Sequence, residues 1–267
     1  MLAPWEFMWT LAIGVYAACK STTWLGPRVP QAPVWKQAAY LLGWPGMDAV
    51  SFLGHASIST RSECRSIEWR ASTTTLLFGA TLLFVVARLI PQQDEYLIGW
   101  TGMIGIVLVL HFGLFQLLSC CWRSLGIEAR PIMNRPLAST SLSEFWGRRW
   151  NTAFRDLAHR FVFRPFTAWF GPRFGLFAGF LFSGAVHDLV ISVPAKGGYG
   201  GPTAFFAIQG AAIIFERSAF GRRMGVGSGG SGRAFTFLVL VAPLFLLLHP
   251  PFVVRVIVPF MRAIGAL

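Results

Sequence analysis

Charged side chains are scarce in this sequence of 267 residues. Only 13% of the residues are Asp, Glu, Lys or Arg, whereas 54% are hydrophobic. An ordinary soluble domain carries about 25% charged residues, and a soluble chain of this length could not bury so much apolar surface. The composition therefore excludes an ordinary soluble domain and indicates a protein that lipid partly solvates.

Acidic residues are especially few, since 11 Asp and Glu stand against 23 Lys and Arg and give a formal charge of +12. Such a charge is also typical of nucleic-acid binding, but the basic residues form no continuous stripe interleaved with polar ones. They lie between apolar runs, as in the cytoplasmic loops of membrane proteins. We therefore expect membrane lipid as a partner, and no nucleic acid.

Metal and phosphate motifs are also missing. The sequence has four cysteines, Cys19, Cys64, Cys120 and Cys121. They form no CxxC pair and no Cys/His cluster with zinc spacing, so we expect no metal site. The Gly/Ser-rich segment 221–233 has no GK[ST] ending, which excludes that phosphate-binding loop and favours a flexible one. The first apolar run follows no basic region and contains Glu6, which argues against a cleaved signal peptide.

Apolar runs are the main feature that is present. Runs that cross, or nearly cross, a hydrocarbon core of roughly 30 Å lie at about 5–19, 74–90, 97–118, 174–193, 201–216 and 235–258. They predict an all-α, multi-pass transmembrane protein with about six spanning helices plus interfacial or re-entrant helices. The run at 201–216 is short and is expected to cross only part of the bilayer, or to extend into its Gly-rich approach. Segment 35–55, broken by Pro45 and Gly46, is predicted to be interfacial or re-entrant.

The connections between the runs alternate in charge, as six crossings require. Basic residues concentrate in the three long segments, 20–73, 119–173 and 217–234. The short connections 91–96 and 194–200 carry few of them. This pattern predicts an outside N-terminus and cytoplasmic long loops, in either a bacterial inner membrane or the endoplasmic reticulum.

The segment 141–164 has the pattern of a basic amphipathic helix. Ser141 and Glu144 form a capping box, SLSE, ahead of an aromatic run. One predicted face carries Trp146, Trp150, Ala153, Leu157 and Phe161. Another side carries Arg148, Asn151, Arg155 and His159. Pro165 is predicted to end this helix, which we expect to lie in the membrane interface.

Ionisable residues inside spanning segments are costly and are therefore functional candidates. His111 is alone in an apolar run and is interpreted as a packing residue. Glu216 precedes Arg217, so a boundary ion pair explains it as well as catalysis does. His249 precedes two prolines, where a capping or interfacial role suffices.

The pair His187–Asp188 is different, because it lies deep in an apolar run. Consecutive helical residues point about 100° apart, so Asp188 is expected to pair with an arginine or a backbone group of a neighbouring helix. His187 would share its face with Phe180 and Ser183, where a neutral imidazole is a competent base. These residues alone leave two alternatives open: a catalytic base, or a proton relay or buried pair without catalysis.

Two sequence strings carry a family resemblance. SLSEFWGRRWN (141–151), followed by FLFSGAVHDLV (180–190), resembles the wax synthase branch of the membrane-bound O-acyltransferase superfamily. The run PTAFFAIQGAAIIFE (202–216) is also similar to that family's next helix. The resemblance divides the single membrane domain 1–267 into N-terminal spanning helices with a basic loop (1–118), a catalytic region (119–217), and a flexible loop with a C-terminal spanning helix (218–267).

The resemblance implies roles for individual residues. His187 would be the catalytic base and Asn151 its partner, with Asp188, in place of the family's usual Glu, among the supporting residues. Trp146 and Trp150 would also support the site. The CoA phosphates would meet a group of arginines, Arg148, Arg149 and Arg155.

The implied reaction is transfer of an acyl group from acyl-CoA to a lipophilic alcohol. Acyl-CoA is then a co-substrate, and the reaction needs no metal or other cofactor. A long-chain alcohol, giving a wax ester, is the leading acceptor, and a terpenoid or sterol-like alcohol is the second.

Two other classes of protein compete with this interpretation. A transporter or proton-relay protein would use His187 and Asp188 for ion coupling, but the sequence shows no internal repeat, and the FWGRRWN string would be unexplained. A catalytically inactive scaffold is the other rival, against which Asn151 and His187 argue. Neither the oligomeric state nor the acyl chain length follows from the sequence.

Overall fold

The computed structural model describes residues 2–54 and 64–267, and every regular element in these ranges is a helix, as predicted. His55 of the predicted interfacial segment and Arg61 of the first basic loop lie outside the described residues. The described chain forms two compact units. The first comprises 1–12 and 134–260, and the second comprises 13–133 and 261–267. The three-region division 1–118, 119–217 and 218–267 stays a prediction.

The described residues form twelve helices and one 3₁₀ turn. Toward the N-terminus they are α1 (Pro4–Trp24), α2 (Val34–Gly43), α3 (Ala49–Leu53), α4 (Ser66–Leu89) and α5 (Glu95–Ser124). After a 3₁₀ turn at Pro136–Ala138 come α6 (142–149), α7 (152–170), α8 (Pro172–Ala195), α9 (Gly201–Glu216), α10 (Ala219–Arg223), α11 (Gly229–Leu247) and α12 (250–263).

Four of these helices, α4, α5, α8 and α11, are long and apolar enough to cross a membrane, so this is an integral membrane protein. The predicted count of about six was approximate. The runs at 5–19 and 201–216 are helical but are not among the four. Helix α9 has 16 residues, about 24 Å at ~1.5 Å per residue, which is less than a roughly 30 Å core.

The predicted run 235–258 is not one helix. Helix α11 ends at Leu247, and α12 begins at Pro250. Proline fits the first turn of a helix because its missing N–H would be unpaired there in any case. His249 caps this new start, since its Nδ1 accepts from the backbone N–H of Phe252 at 3.2 Å. The capping role predicted for His249 is confirmed.

In the second unit, the break between α2 and α3 binds a buried lysine. Lys20 is 2% exposed, and its Nζ donates to the carbonyl oxygens of Trp44, at 2.7 Å, and Gly46. The ammonium also lies 3.4 Å from the centroid of the Tyr40 ring. The Pro45–Gly46 break in segment 35–55 thus supplies the carbonyl groups that a buried cation needs.

Cys120, near the end of α5, forms a disulfide with Cys64. The carboxylate of Glu68 lies beside this bond and pairs with Arg123 at 2.6 Å. Ligating atoms of Cys64, Glu68 and Cys120 lie within 4.8 Å of one another. Since the two sulfurs are bonded to each other, this group is a covalent link between α5 and the chain preceding α4 rather than a pair of thiolates.

In the first unit, small residues let α8 and α9 approach closely. A Cβ atom on Gly184 would lie 2.6 Å from the Cα of Thr203, and one on Gly210 would lie 3.1 Å from the ring of Phe177. Contact of this kind is typical of helix pairs in membranes.

The single helix predicted for 141–164 is wrong in two respects. The chain breaks between α6 and α7, where Trp150 is extended and Asn151 is left-handed, with φ +38°. Pro165 does not end α7, which continues to Phe170 and stops at Gly171. A wider π-helical turn, His159–Phe163, precedes the proline. Such a turn relieves the clash that a proline ring makes with an ordinary helix.

Candidate active site

A cavity of about 530 Å³ lies within the first unit. It is bordered by α6, α7, α8 and α9. Five residues predicted for the site line it, His187, Asn151, Trp146, Trp150 and Arg155. Arg148, Arg149 and Asp188 are not among the lining residues. The fold therefore brings the two strings 141–151 and 180–190 to one concave surface, with a volume typical of small-molecule sites.

His187 is held in one orientation by its own helix. Its Nδ1 lies 2.7 Å from the carbonyl oxygen of Ser183, one turn earlier in α8. Since a carbonyl oxygen only accepts, Nδ1 carries the proton, and the lone pair of the neutral ring is on Nε2. The Phe206 ring packs on the imidazole with a centroid distance of 4.6 Å. The arrangement leaves His187 able to accept a proton through Nε2.

A π-helical turn, Asp188–Ser192, begins directly after His187. Turns of this kind also occur in α4, α5, α6, α7 and α12. The turn rotates the following residues relative to an ordinary helix, so the faces predicted from a uniform 3.6-residue period do not extend beyond His187.

Asn151 lies at the corner between α6 and α7. It is one of the few residue types that adopt the left-handed conformation at little cost, and its φ is +38°. Its Oδ1 accepts from the backbone N–H of Phe154 at 3.3 Å, which caps α7. The corner turns Asn151 toward the cavity that His187 also lines.

Two tryptophans of the FWGRRWN string form part of the cavity wall. The Trp146 ring contacts Phe180 and Phe206, with centroid distances of 5.7 and 5.6 Å. Trp150 stacks on Phe145 at 5.4 Å. Because Phe206 also packs on His187, the aromatic wall joins α6 to the helix that bears the histidine.

The sequence interpretation missed Gln209, which holds Trp146. Its Oε1 accepts from the indole Nε1 at 3.3 Å, and its Nε2 donates to the carbonyl oxygen of Val239 at 2.8 Å. Gln209 is fully buried. A polar residue within the apolar run 201–216 is a signal of such a role, because burial of an amide requires hydrogen-bond partners.

Arg149 does not reach the cavity. Its guanidinium pairs with Glu144 at 2.6 Å and donates to the carbonyl oxygens of Asn134 and Arg135. The backbone N–H of Thr140 and the Arg149 guanidinium together hold the pKa of the Glu144 carboxyl below its usual range. Arg149 therefore fastens α6 to the preceding loop.

Arg155 and Arg148 differ in position. Arg155 lines the cavity, where it pairs with Asp156 and donates to the carbonyl oxygen of Gly147. Arg148 is exposed and lies outside the lining. Of the three arginines predicted to meet CoA, only Arg155 is at the cavity.

The predicted capping box of α6 is present in altered form. Ser141 Oγ accepts from the backbone N–H of Glu144 at 3.0 Å, as predicted. The Glu144 carboxylate instead accepts from the backbone N–H of Thr140, at 2.9 Å. The start of α6 is thereby fixed by the side chains of its own first turn.

Glu216 adds a second cap to α6, which the sequence interpretation missed. Its carboxylate accepts from the backbone N–H groups of Leu142, at 2.6 Å, and Ser143, at 3.2 Å. Glu216 is 4% exposed. Of the two explanations that the sequence leaves open for Glu216, the boundary ion pair with Arg217 is wrong, because Arg217 donates through Nε to Ser143 Oγ at 2.9 Å. The N-terminus of α6 stabilises this carboxylate, because the helix dipole and the unpaired N–H groups there attract negative charge.

Asp188 is directed toward the connection between α8 and α9. Its carboxylate accepts from Ser192 Oγ and the Gly200 N–H, both at 2.8 Å, and from the N–H, at 3.0 Å, and hydroxyl of Thr203. The expected pairing with a backbone group is confirmed, and these bonds fix the start of α9. Asp188 thus supports the site through the helix that carries Phe206.

His111, the other intramembrane histidine, belongs to the second unit. Its ring packs against Phe115, with a centroid distance of 5.4 Å. The packing role predicted for His111 agrees with this contact.

Comparison with known proteins gives matches that center on this site. The membrane bound O-acyl transferase family matches residues 129–208. A probable long-chain-alcohol O-fatty-acyltransferase 3 of Arabidopsis thaliana is 34% identical over 163 residues, 53% of this chain and 46% of the relative. A second such protein, number 6, is 29% identical over 129 residues, covering 46% of this chain and 37% of the relative.

The acyl-CoA–sterol O-acyltransferase 1 of Arabidopsis thaliana is also similar, at 35% identity over 71 residues, 24% of this chain and 21% of the relative. The matches thus cover less than half the length of these curated relatives. No solved structure matches the chain. The resemblance found in the sequence is confirmed, since residues 129–208 match the membrane bound O-acyl transferase family.

Proposed function

We propose that this protein transfers an acyl group from a thioester donor, acyl-CoA, to the hydroxyl group of a lipophilic alcohol. The observation that carries the proposal is the histidine whose Nδ1 binds the Ser183 carbonyl oxygen, 2.7 Å away, in a cavity that Asn151 also lines. The family match at residues 129–208 supports the same class of reaction.

The chemistry follows from the lone pair on Nε2 of His187. Nε2 takes the proton of the alcohol while its oxygen forms a bond to the thioester carbonyl carbon, a general-base contribution of about 10²–10⁴-fold. The carbon–sulfur bond then breaks, and the thiolate takes the proton back from the imidazolium. These reaction steps conserve atoms and charge, and they require no metal and no redox cofactor.

Asn151 has a different part in the proposed reaction. Its Oδ1 is directed to the Phe154 N–H, so the amide nitrogen is the group that would donate to the negative oxygen developing on the thioester carbonyl. Removal of one such donor typically costs about 10²–10³-fold in rate. The carbonyl oxygen of the donor would therefore lie on the Asn151 side of the cavity.

The acceptor that we propose first is a long-chain alcohol, so that the product is a wax ester. The cavity wall supports an apolar acceptor because six of its lining residues are Phe or Trp, among them Phe154, Phe163, Phe180 and Phe206. Two of the similar proteins are named for long-chain alcohols. A sterol-like acceptor is the second candidate, on the strength of the sterol O-acyltransferase relative.

The test is ester formation in membranes that contain the protein. Labelled acyl-CoAs of short and long chain are offered with a long-chain alcohol, a sterol and a terpenoid alcohol, and membranes without the protein are the control. We expect ester that depends on the protein, most of it from the long-chain alcohol. If folded protein yields no ester with any pair, the proposed function is wrong. A sterol ester as the main product would retain the reaction and replace the acceptor.

A further inference from the structure

Charge at the cavity is carried by few side chains. Among its lining residues, Arg155, Asp156 and Arg217 are charged at neutral pH. Arg155 and Asp156 form an ion pair, so their charges largely cancel. The net positive charge of the lining is therefore that of Arg217, which follows the last residue of α9.

Arg217 is also oriented for binding. Arg217 is exposed, and its Nε donates to Ser143 Oγ at 2.9 Å, which restrains the guanidinium and leaves the two terminal nitrogens for another acceptor. Within the described residues, no carboxylate is recorded in an ion pair with Arg217. A guanidinium with two parallel N–H donors is well matched to a phosphate group.

The position of Arg217 along α9 agrees with the length of the donor. Phe206, whose ring packs on His187, lies about three turns before Arg217, roughly 16 Å along the axis at ~1.5 Å per residue. The pantetheine arm of coenzyme A has about thirteen bonds between sulfur and phosphorus. At the roughly 1.2 Å per bond of an extended chain, it spans about 15 Å. A thioester at His187 would thus place the phosphate near Arg217.

We propose that Arg217 is a specificity-determining residue that binds the phosphate at the end of the donor's pantetheine arm. This inference rests on the proposed function and names a residue that the sequence interpretation assigned to a boundary ion pair. Ser143 acts as a positioning residue, because it orients the guanidinium. The bound phosphate belongs to a soluble thioester donor. Coenzyme A and 4′-phosphopantetheine both carry this phosphate.

The experiment compares three donors with the same acyl chain: acyl-CoA, acyl-4′-phosphopantetheine and acyl-pantetheine, which lacks the phosphate. In Arg217→Gln, we expect KM for both phosphate-bearing donors to rise roughly tenfold to a hundredfold, as for loss of a charge-assisted hydrogen bond. KM for acyl-pantetheine and kcat should remain within about twofold. A rise for acyl-CoA alone would assign Arg217 to the nucleotide part, and an equal rise for all three donors would show a structural effect; both results overturn the proposal.

Matched variants keep the test independent of folding and of activity. Arg173→Gln removes an exposed arginine outside the cavity and should leave all three KM values unchanged. Arg217→Lys keeps the charge, and Ser143→Ala removes the orienting bond; both should give intermediate values. Binding of an unreactive S-alkyl thioether of coenzyme A to the His187→Ala protein supplies a readout without turnover, and its weakening by Arg217→Gln is expected.

Failure of this inference differs from failure of the proposed function. If wild-type protein forms ester and Arg217→Gln matches it with every donor, the function stands and the phosphate contact is wrong. If wild-type protein forms no ester but binds the thioether less tightly after Arg217→Gln, the contact stands and the reaction is wrong.

Discussion

Nδ1 of His187 lies 2.7 Å from the carbonyl oxygen of Ser183, so the backbone of α8 selects the tautomer of the histidine. In many hydrolases a carboxylate orients the base. Here the adjacent carboxylate, Asp188, is bonded to Ser192, Gly200 and Thr203 instead. The histidine is therefore oriented by its own helix, and the acid next to it orients the neighbouring helix.

Asn151 is expected to contribute through its amide nitrogen. Asn151→Asp keeps an oxygen that can accept from the Phe154 N–H and a residue type that tolerates a positive φ, but it removes the donor. We predict near-normal thermal stability and a loss of about 10²–10³-fold in kcat. The measurement is kcat for ester formation beside the Tm of the purified protein.

Asn151→Gly is the control for this variant, since it keeps the left-handed backbone and removes the whole side chain. It should lose activity to a similar degree and also some stability, because the α7 cap is gone. Full activity in Asn151→Asp would contradict the role of the amide donor.

Asp188→Ala is expected to lower stability. The substitution leaves the Gly200 and Thr203 N–H groups without their carboxylate acceptor, and hydrogen bonds to a charged group contribute about 1.5–3 kcal/mol each. We predict a fall in Tm of roughly 6–24 °C in detergent, from two such bonds at ~2–4 °C per kcal/mol for a protein of this size. Asp94→Ala, at an exposed position without a side-chain cap bond, is the control and should change Tm little. An unchanged Tm in Asp188→Ala would show that these bonds add nothing to the fold.

Glu216→Ala is expected to loosen the start of α6. The Leu142 N–H would lose its acceptor within the protein interior, at a cost of about 1–3 kcal/mol. Tryptic cleavage after Arg148 and Arg149 should therefore accelerate by about tenfold. Glu216→Gln keeps an acceptor oxygen, so its rate of tryptic cleavage should lie between those of the wild type and Glu216→Ala. Cleavage at the wild-type rate in Glu216→Ala would show that α6 does not depend on this cap.

Glu144 predicts a pH dependence of stability. Since hydrogen bonds from Thr140 and Arg149 lower the pKa of this carboxyl in the folded protein, its contribution is complete above the unfolded pKa of about 4.3 and is lost as pH falls through the lower folded value. Wild-type protein should thus exceed Glu144→Gln in Tm by about 1–4 °C at pH 7, from an ion pair of ~0.2–1 kcal/mol. The difference should shrink at and below about pH 4. If the difference in Tm between wild type and Glu144→Gln persists unchanged at pH 3, the Glu144 carboxylate is not the source of this stability.

Sequence patterns predicted the features that depend on local chemistry. Apolar runs predicted the membrane helices, and Ser141 and Glu144 predicted the start of α6. His249 was predicted to cap a helix, and it caps α12. Each of these depends on residues close together in the chain. The depth of His187 in an apolar run marked it as a candidate for the same reason, because the cost of an ionisable group in lipid is visible from its neighbours.

Features that depend on distant partners were not predicted. The corner at Asn151 was missed because the helical spacing of 141–164 continues across it, and although Asn tolerates a left-handed backbone, its presence does not require a break. Arg149 and Arg217 have the same side chain, but Glu144 binds one and Ser143 orients the other. The family resemblance implied that Arg149 meets the substrate, whereas the folded chain places Arg217 at the cavity.

The most direct test of the account is kcat for ester formation by His187→Ala beside His111→Ala, with both proteins folded in the same membrane. The account predicts that His187→Ala loses about 10²–10⁴-fold in kcat, as expected for removal of a general base, with KM for acyl-CoA little changed. His111→Ala should remain within about threefold of wild type, because His111 packs against Phe115 in the other unit. If His187→Ala retains more than half of the wild-type kcat, His187 is not the base and the central claim is wrong.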